Sequence, residues 1–445
     1  MSDALHPSIV GLSRKLAEFS QSFELAQAPA VVVTNAKLAI LDCLGVSVLA
    51  TAQEIGACLR KFAGAHVSPG NCTVWGMEIK TSVRDAAFLN GTLAHGLDYD
   101  DRNHSTTYTL ASSIAAAESV EASGRQALEA FIVGREVRAS LDRIFSSRSR
   151  GIGPGARGWH SNGILGPIAS ACSASRIFGL NPQQTLAAIG LAAGACGALT
   201  RDGGTMAKPF RCGHAAATGV TAALLAQAGF SSDETVLEGR YGLLEAVGPL
   251  NDEILESLGN NLGVEWNLGH SLRIKPFASC TATHSGLEAM LRLLQRENVT
   301  AENIEAIECD LRPYPLVRPQ PTRGYEGRFS MPFCLAMTLV HGTMTPNDFV
   351  NEKLHDPRIQ NLIQRTRHRN EETLTVVMRN GKKFTEPFRP ITNLTDWPAV
   401  REKFVQSVSG SFSQQRTETI IEQVDHLEAL SLIRQLTESL RAEIL

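Results

Sequence analysis

The chain has 445 residues, 43% of them hydrophobic and 20% charged, with a formal net charge of −3 at pH 7. This is the make-up of an ordinary soluble globular protein, too long for one small core and suited to two domains. No basic run is present, which argues against nucleic acid or another polyanion as partner.

The nine cysteines form no CxxC pair. They read as reduced, mostly buried thiols of a cytoplasmic protein, not as a disulfide framework or a zinc site. The start, Met1 to His6, lacks the basic and apolar regions of a signal peptide. The apolar run from Ala28 to Ala50 is broken by Lys37 and Asp42. It predicts a buried amphipathic helix rather than a membrane span, so no membrane partner is expected.

Helical spacing of Leu, Ile and Val runs through Ile9–Ser20, Ala30–Leu49, Ser112–Glu121, Gln126–Phe145, Gly166–Phe178, Pro182–Ala198 and Ala215–Ala228. Their many Ala and Gly residues imply close axis-to-axis packing. Long alternating strands are lacking, which argues against a doubly wound sheet.

Within this region, Asn90–His104 gathers two histidines, three carboxylates and an arginine into fifteen residues. His95, Asp98 and Arg102 fall three to four apart, which on a helix is one face. The competing reading is a helix end dressed with solvated acids. His104 meets Ser105–Thr107, at a helix end or in a loop.

Gly153-Pro-Gly-Ala-Arg-Gly158 matches GxGxxG, but Phe145–Arg150 is no strand and Pro154 lacks a donor. A Gly-rich loop leading to Trp159 and His160 is the better reading. Gly203–His214 is a second polar knot. Lys208 precedes a proline, which predicts extended backbone, and His214 is read as opening the next helix.

From 271 to 399 a period of two appears. Ile304–Leu311 is a candidate strand, and Leu374–Met378, Asn380-Gly381 and Lys382–Phe384 spell a hairpin. Helices return at Ser285–Glu297, Phe333–Val340 and Asp356–Ile363, then at Trp397–Val408 and Glu422–Leu445. The expected architecture is mainly α: a helical domain of residues 1–270 and 400–445, discontinuous in sequence, and a smaller α+β lid domain of 271–399. Two more knots lie in the latter. Lys275–His284 again sets a lysine before a proline and a histidine at a helix start. Arg318, Arg323 and Arg328 flank Phe329-Ser330, and guanidinium groups there suit carboxylates.

These motifs, in order NGTLAHGLDYDD, GWHSNG (158–163), GGTMAKPFRCGHAAATG (203–219), IKPFASCTATH (274–284) and GRFSMPF (327–333), resemble the MmgE/PrpD family over most of the chain. The resemblance implies a large helical domain with a smaller α+β lid, a homodimer, and action on di- or tricarboxylates without an organic cofactor. Its cleft between the domains would be faced by Asp98, His104, His160, Lys208 and Lys275 and bordered by His284 and Arg328–Ser330. Tyr108 stands where dehydratase- and decarboxylase-like members are expected to carry a second histidine. Arg102 stands where a small hydroxyl residue is usual.

That departure points to the epimerase branch, with iminodisuccinate as substrate. Epimerisation needs acid/base groups on opposite faces of a carbon, and cations to hold the carboxylates and the enolate-like intermediate. His104, Tyr108, His160 and Lys208 form the proton-handling pool, with Asp98 orienting His104 or a lysine. Arg102, Lys275, His284, Arg328 and Ser330 are the substrate-binding set. A lyase of the same family, dehydrating a hydroxy-tricarboxylate or decarboxylating an unsaturated one, is the alternative. A non-catalytic carboxylate binder is a third reading. A metal on His95, Asp98 and His104 is disfavoured by the cationic neighbours.

Overall fold

Small residues decide how closely these helices approach. A Cβ on Gly213 would lie 2.0 Å from Thr92 Oγ1 and 2.3 Å from Phe88 O, and one on Gly219 would lie 2.3 Å from Ser170 Cβ. The helix Ala207–Gln227 can therefore lie against Val83–Ala94 on one side and Ser161–Ile177 on the other only because these positions are glycine. In this computed structural model residues 9–145, 153–311 and 318–442 are described. The segment from Met1 to His6, residues 146–150 before the Gly-rich loop, and the end of the predicted Glu422–Leu445 helix lie outside the described residues.

The chain is mainly α with a smaller α+β part. One core is built by Leu12–Ser22, Ala30–Thr51, Ser105–Ser119, Gly124–Ser140, Ser161–Ile177, Pro182–Gly194 and Ala207–Gln227. Trp397–Val408 and Gln414–Asp425 return to it, with Val400, Phe404, Val408, Ile420 and Val424 in the same core. The second core lies between Thr281–Arg296, Met331–His341, Pro357–Arg365 and a four-stranded sheet. Its strand order is Thr366–His368, Ile304–Cys309, Thr373–Met378, Lys383–Pro387, with the first pair parallel and the others antiparallel. Val46, Ala50, Ile55, Leu89, Leu93 and Leu97 join that core, so it draws on residues well before position 271.

Several elements differ from the predicted ones. The helix Ala30–Thr51 is buried on nearly all sides from Leu38 to Val48, not along one amphipathic face, since Trp397–Val408 returns to pack on it, with Phe404 at Gly45, and the second core takes Val46 and Ala50. The helix predicted from Ala215 starts at Ala207, so Lys208 is helical and Pro209 sits in the first turn, where its missing N–H costs nothing. His214 is accordingly mid-helix; it stacks on Phe210 at 5.7 Å, away from the knot it was grouped with. The last predicted helix is two shorter ones, Gln414–Asp425 and Arg434–Ser439.

Glycine packing gives a prediction of opposite signs. Gly213→Ala should destabilise by about 1–3 kcal/mol through overpacking. Gly64→Ala, on the helix Glu54–His66 with nothing within 4 Å of its Cβ, should stabilise by about 0.5–1 kcal/mol. Urea unfolding of both variants measures the pair; equal shifts would refute the packing account.

Candidate active site

The helix Val83–Ala94 is capped by Ser82, whose Oγ accepts from the Asp85 N–H at 3.2 Å. It ends at Ala94, and His95 is its C-cap. His95, Asp98 and Arg102 therefore do not share a helical face. They lie on a loop from 95 to 104 that turns sharply at two non-glycine residues of positive φ, Asp98 at 50° and His104 at 60°. Such backbone is strained by about 1–3 kcal/mol per residue and is kept where the surroundings over-determine it.

The surroundings are ionic. Asp98 Oδ1 is 2.9 Å from Lys208 Nζ and 2.6 Å from Lys275 Nζ. Lys275 also donates to the Asp98 carbonyl at 2.8 Å. All three side chains are buried. Burial pushes the Asp98 carboxyl up, but the two ammonium groups outweigh it and hold Asp98 well below the carboxylate range. Burial works against the charge on Lys275, yet Asp98 and Asp100 hold it above its ordinary value. Lys275 is thus a fixed cation and no base.

Asp100 organises the histidines. Its two oxygens lie 2.9 Å from His95 Nδ1 and 2.9 Å from His104 Nδ1. With Asp100 ionised, held below its usual range by both imidazoles against burial, each Nδ1 is read as the donor. His104 Nε2 is left 3.6 Å from Asp98 Oδ1. Asp101 closes the loop: Oδ1 accepts from the Asn103 N–H at 2.9 Å, and Arg135 pairs with Oδ2 at 2.7 Å.

A cleft of about 430 Å³ opens on this loop. It is lined by Asp98, Arg102, His104 and Lys208, together with Arg273 and the first turn of Thr281–Arg296 at Thr281 and Ala282. Cations together with the N-terminal end of a helix suit a carboxylate. Sequence reading gave no role to Asp100, Arg273 or that first turn. The spacing of Asp100 between two histidines, and Arg273 two residues before Lys275, were the available signals.

The other predicted residues are placed differently. His160 caps the helix Ser161–Ile177, its Nδ1 accepting from the Asn162 N–H at 3.3 Å. Burial, then Arg211, hold it well below its ordinary value and neutral. His284 is buried, 3.2 Å from the Ser279 carbonyl through Nε2, and pushed down to about 3 by burial. Ser330 is spent as a cap, accepting from the Phe333 N–H at 3.1 Å. Arg328 faces a separate cavity of about 200 Å³ with Leu97, Tyr325 and Phe349.

Tyr108 requires a correction. Its hydroxyl accepts from Arg138 Nε at 2.8 Å inside the first core, and burial outweighs Arg138 to push it up to about 12. It was placed in the proton-handling pool; Arg138 favours its ionised form, but desolvation wins. The four residues His95, Asp98, Asp100 and His104 have ligand-type atoms within 4.8 Å of one another. Two ammonium groups already sit on Asp98 Oδ1 and would repel a divalent cation placed there, a setting poorly matched to a metal.

The model of the MmgE/PrpD N-terminal domain matches residues 14–253 and that of the MmgE/PrpD C-terminal domain matches 277–428. Cis-aconitate decarboxylase of Mus musculus is 27% identical over 444 residues, covering 92% of this chain and 89% of its own. The enzyme of the same name from Homo sapiens is 26% identical, covering 92% and 90%. One from Aspergillus terreus is 26% identical, covering 81% and 79%. These relatives overturn the expectation of an iminodisuccinate epimerase: they are named as lyases, not isomerases, and the inference from Tyr108 rested on a residue the structure buries away from the cleft.

The ionic knot makes a stability prediction. Asp98→Asn leaves two buried ammonium groups without their carboxylate, which should cost about 3–5 kcal/mol at neutral pH. The folded pKa of Asp98 is depressed, so its contribution is complete above the unfolded value of about 3.9 and lost as pH falls towards the folded one. The gap between wild type and variant in urea unfolding should narrow from pH 7 towards acid; a constant gap would refute the charge argument.

Proposed function

Because the chain belongs to the MmgE/PrpD family, we propose that it is a lyase that decarboxylates a small unsaturated polycarboxylate of the cis-aconitate type, without an organic cofactor. The observation that carries this reading is the position of His104. Of His95, His104, His160 and His284, it alone lines the cleft, with its Nδ1 held by Asp100 and its Nε2 3.6 Å from Asp98 Oδ1. The relatives named as cis-aconitate decarboxylases support the same reaction class.

The chemistry asks for little more. In cis-aconitate the carboxymethyl carboxylate lies β,γ to the double bond. When its C–C bond breaks, carbon dioxide leaves and the bond's electron pair forms a new double bond. The former π pair moves to the carbon bearing a remaining carboxylate, and one proton must be added there. Charge developing on that carboxylate is stabilised by Lys208, Arg102, Arg273 and the amides of the first turn at Thr281. His104 Nε2 supplies the proton, and the ionised Asp100 stabilises the imidazolium form from which it is given. Lys275 and Asp98 fix Lys208 and do not react.

Incubation with cis-aconitate in deuterated water, followed by proton NMR and carbon dioxide capture, tests the proposal. A methylene-substituted succinate carrying one deuterium is expected. No carbon dioxide from cis-aconitate, with water lost from 2-methylcitrate instead, would sink it. His104→Asn should lower kcat by about 10²–10⁴-fold. Tyr108→Phe should leave the reaction in place and cost about 1 kcal/mol of stability through the lost Arg138 bond.

A further inference from the structure

We propose that Lys403, on the helix Trp397–Val408, is a positioning residue of the active site. It fixes the backbone from which Asp98 and Lys275 act, without touching substrate. Its Nζ donates to the Tyr99 carbonyl at 2.6 Å and to the Lys275 carbonyl at 2.9 Å. It lies 2.6 Å from Asp42 Oδ1 and 3.7 Å from the centre of the Tyr99 ring. The ammonium group thus donates to two backbone carbonyls and is ion-paired with one carboxylate, and Lys403 does not line the cleft.

The peptides it holds are the informative part. Tyr99 follows Asp98, the residue whose positive φ turns the loop. Lys275 is the residue whose ammonium group reaches back to the Asp98 carboxylate and carbonyl. One ammonium therefore ties together the two strands of chain that carry the Asp98–Lys275 pair. Around this point the chain is otherwise joined by single hydrogen bonds: Arg102 N–H to the Arg273 carbonyl at 2.9 Å, Leu394 N–H to the Ile274 carbonyl at 3.0 Å and the Tyr99 hydroxyl to the Pro276 carbonyl at 3.5 Å. Among the described residues only isolated bridges, not a regular sheet, set the register there, so a side chain does.

Lys403 and Asp42 sit among Val400, Phe404, Leu38 and Leu41 of the first core. A buried ion pair adds little net stability over apolar residues of similar size. Stability alone therefore does not account for it, whereas two carbonyls needing one strong donor do. Asp42 then serves as the counter-charge that keeps Lys403 ionised. The lysine comes from the C-terminal part of the chain, more than a hundred residues beyond Lys275, which is why no motif marks it.

The test compares Asp42→Asn, Lys403→Met and the double variant, reading urea stability, turnover of cis-aconitate and binding of malonate by calorimetry. The turnover arm rests on the decarboxylase reading; the malonate arm does not. Asp42→Asn keeps both carbonyl bonds and should keep kcat near wild type despite any loss of stability. Lys403→Met should lower kcat about tenfold to a hundredfold, because it misplaces the Asp98–Lys275 pair that fixes Lys208. In the double variant the stability should recover while kcat stays low. Recovery of kcat together with stability in the double variant, or equal loss of kcat in Asp42→Asn and Lys403→Met, would reduce Lys403 to a partner of Asp42 and overturn the proposal. If cis-aconitate is not turned over at all, the functional reading fails. Malonate affinity then decides for Lys403: weakened in the double variant but not in Asp42→Asn if it positions the site, unchanged in both if it does not.

Discussion

The site depends on one carboxylate shared by two lysines. Asp98 brings together Lys208, from a helix of the first core, and Lys275, from the extended chain that leads into the α+β part. At an effective dielectric of about 20, each contact is worth on the order of 5 kcal/mol of Coulomb attraction. Desolvating each buried ion costs several kcal/mol, so the arrangement is close to break-even as a source of stability. Its charge is not balanced: one carboxylate faces two ammonium groups, with Arg102 and Arg273 at the cleft. The excess positive charge is what an anionic substrate would complete, and that gives the cluster a purpose beyond folding.

Burial then sorts the imidazoles. His95, against Asp100 and near Lys208, is pushed down to about 3, chiefly by burial. His160 and His284 are likewise held neutral by burial. Only His104, placed by its positive φ at the start of the helix Ser105–Ser119, turns an edge to the cleft. The strain at Asp98 and His104 and the hydrogen bonds of Asp100 and Asp101 are parts of one device: the loop is bent where no glycine stands because ion pairs with Lys208, Lys275 and Arg135 hold it bent.

Much of this was legible in the sequence, and what was not has a physical reason. The order of helices, the hairpin at Asn380-Gly381 and the helix Trp397–Val408 follow from local periodicity and turn chemistry, which the fold kept. The polar knot at Asn90–His104 was visible because so much charge in fifteen residues is incompatible with an ordinary core. Its shape was not: spacing of three and four suggests a helix, while the ion pairs that unwind it come from residues 135, 208 and 275. Lys208 was read as extended because a proline follows, although the first turn of a helix accepts one. Lys403 carries no local signal; its partners lie far away in sequence and are largely backbone.

Tyr108 shows how a reading by identity can mislead. A histidine missing from an expected position suggested that one class of chemistry was lost. The position lies within the helix Ser105–Ser119, buried, with its hydroxyl occupied by Arg138. What matters is how many proton carriers face the cleft and from which side. Epimerisation takes a proton from one face and returns one to the other, so it needs an opposed pair. Decarboxylation needs one proton delivered to one carbon. Among the described residues the cleft presents one imidazole, a thiol at Cys280 pushed up by burial, and cations. Lys208, the remaining proton carrier of that wall, is held on Asp98 at 2.9 Å. A site with one well-placed acid and a surplus of positive charge matches the reaction that adds a single proton to a carbanion stabilised by its own carboxylate.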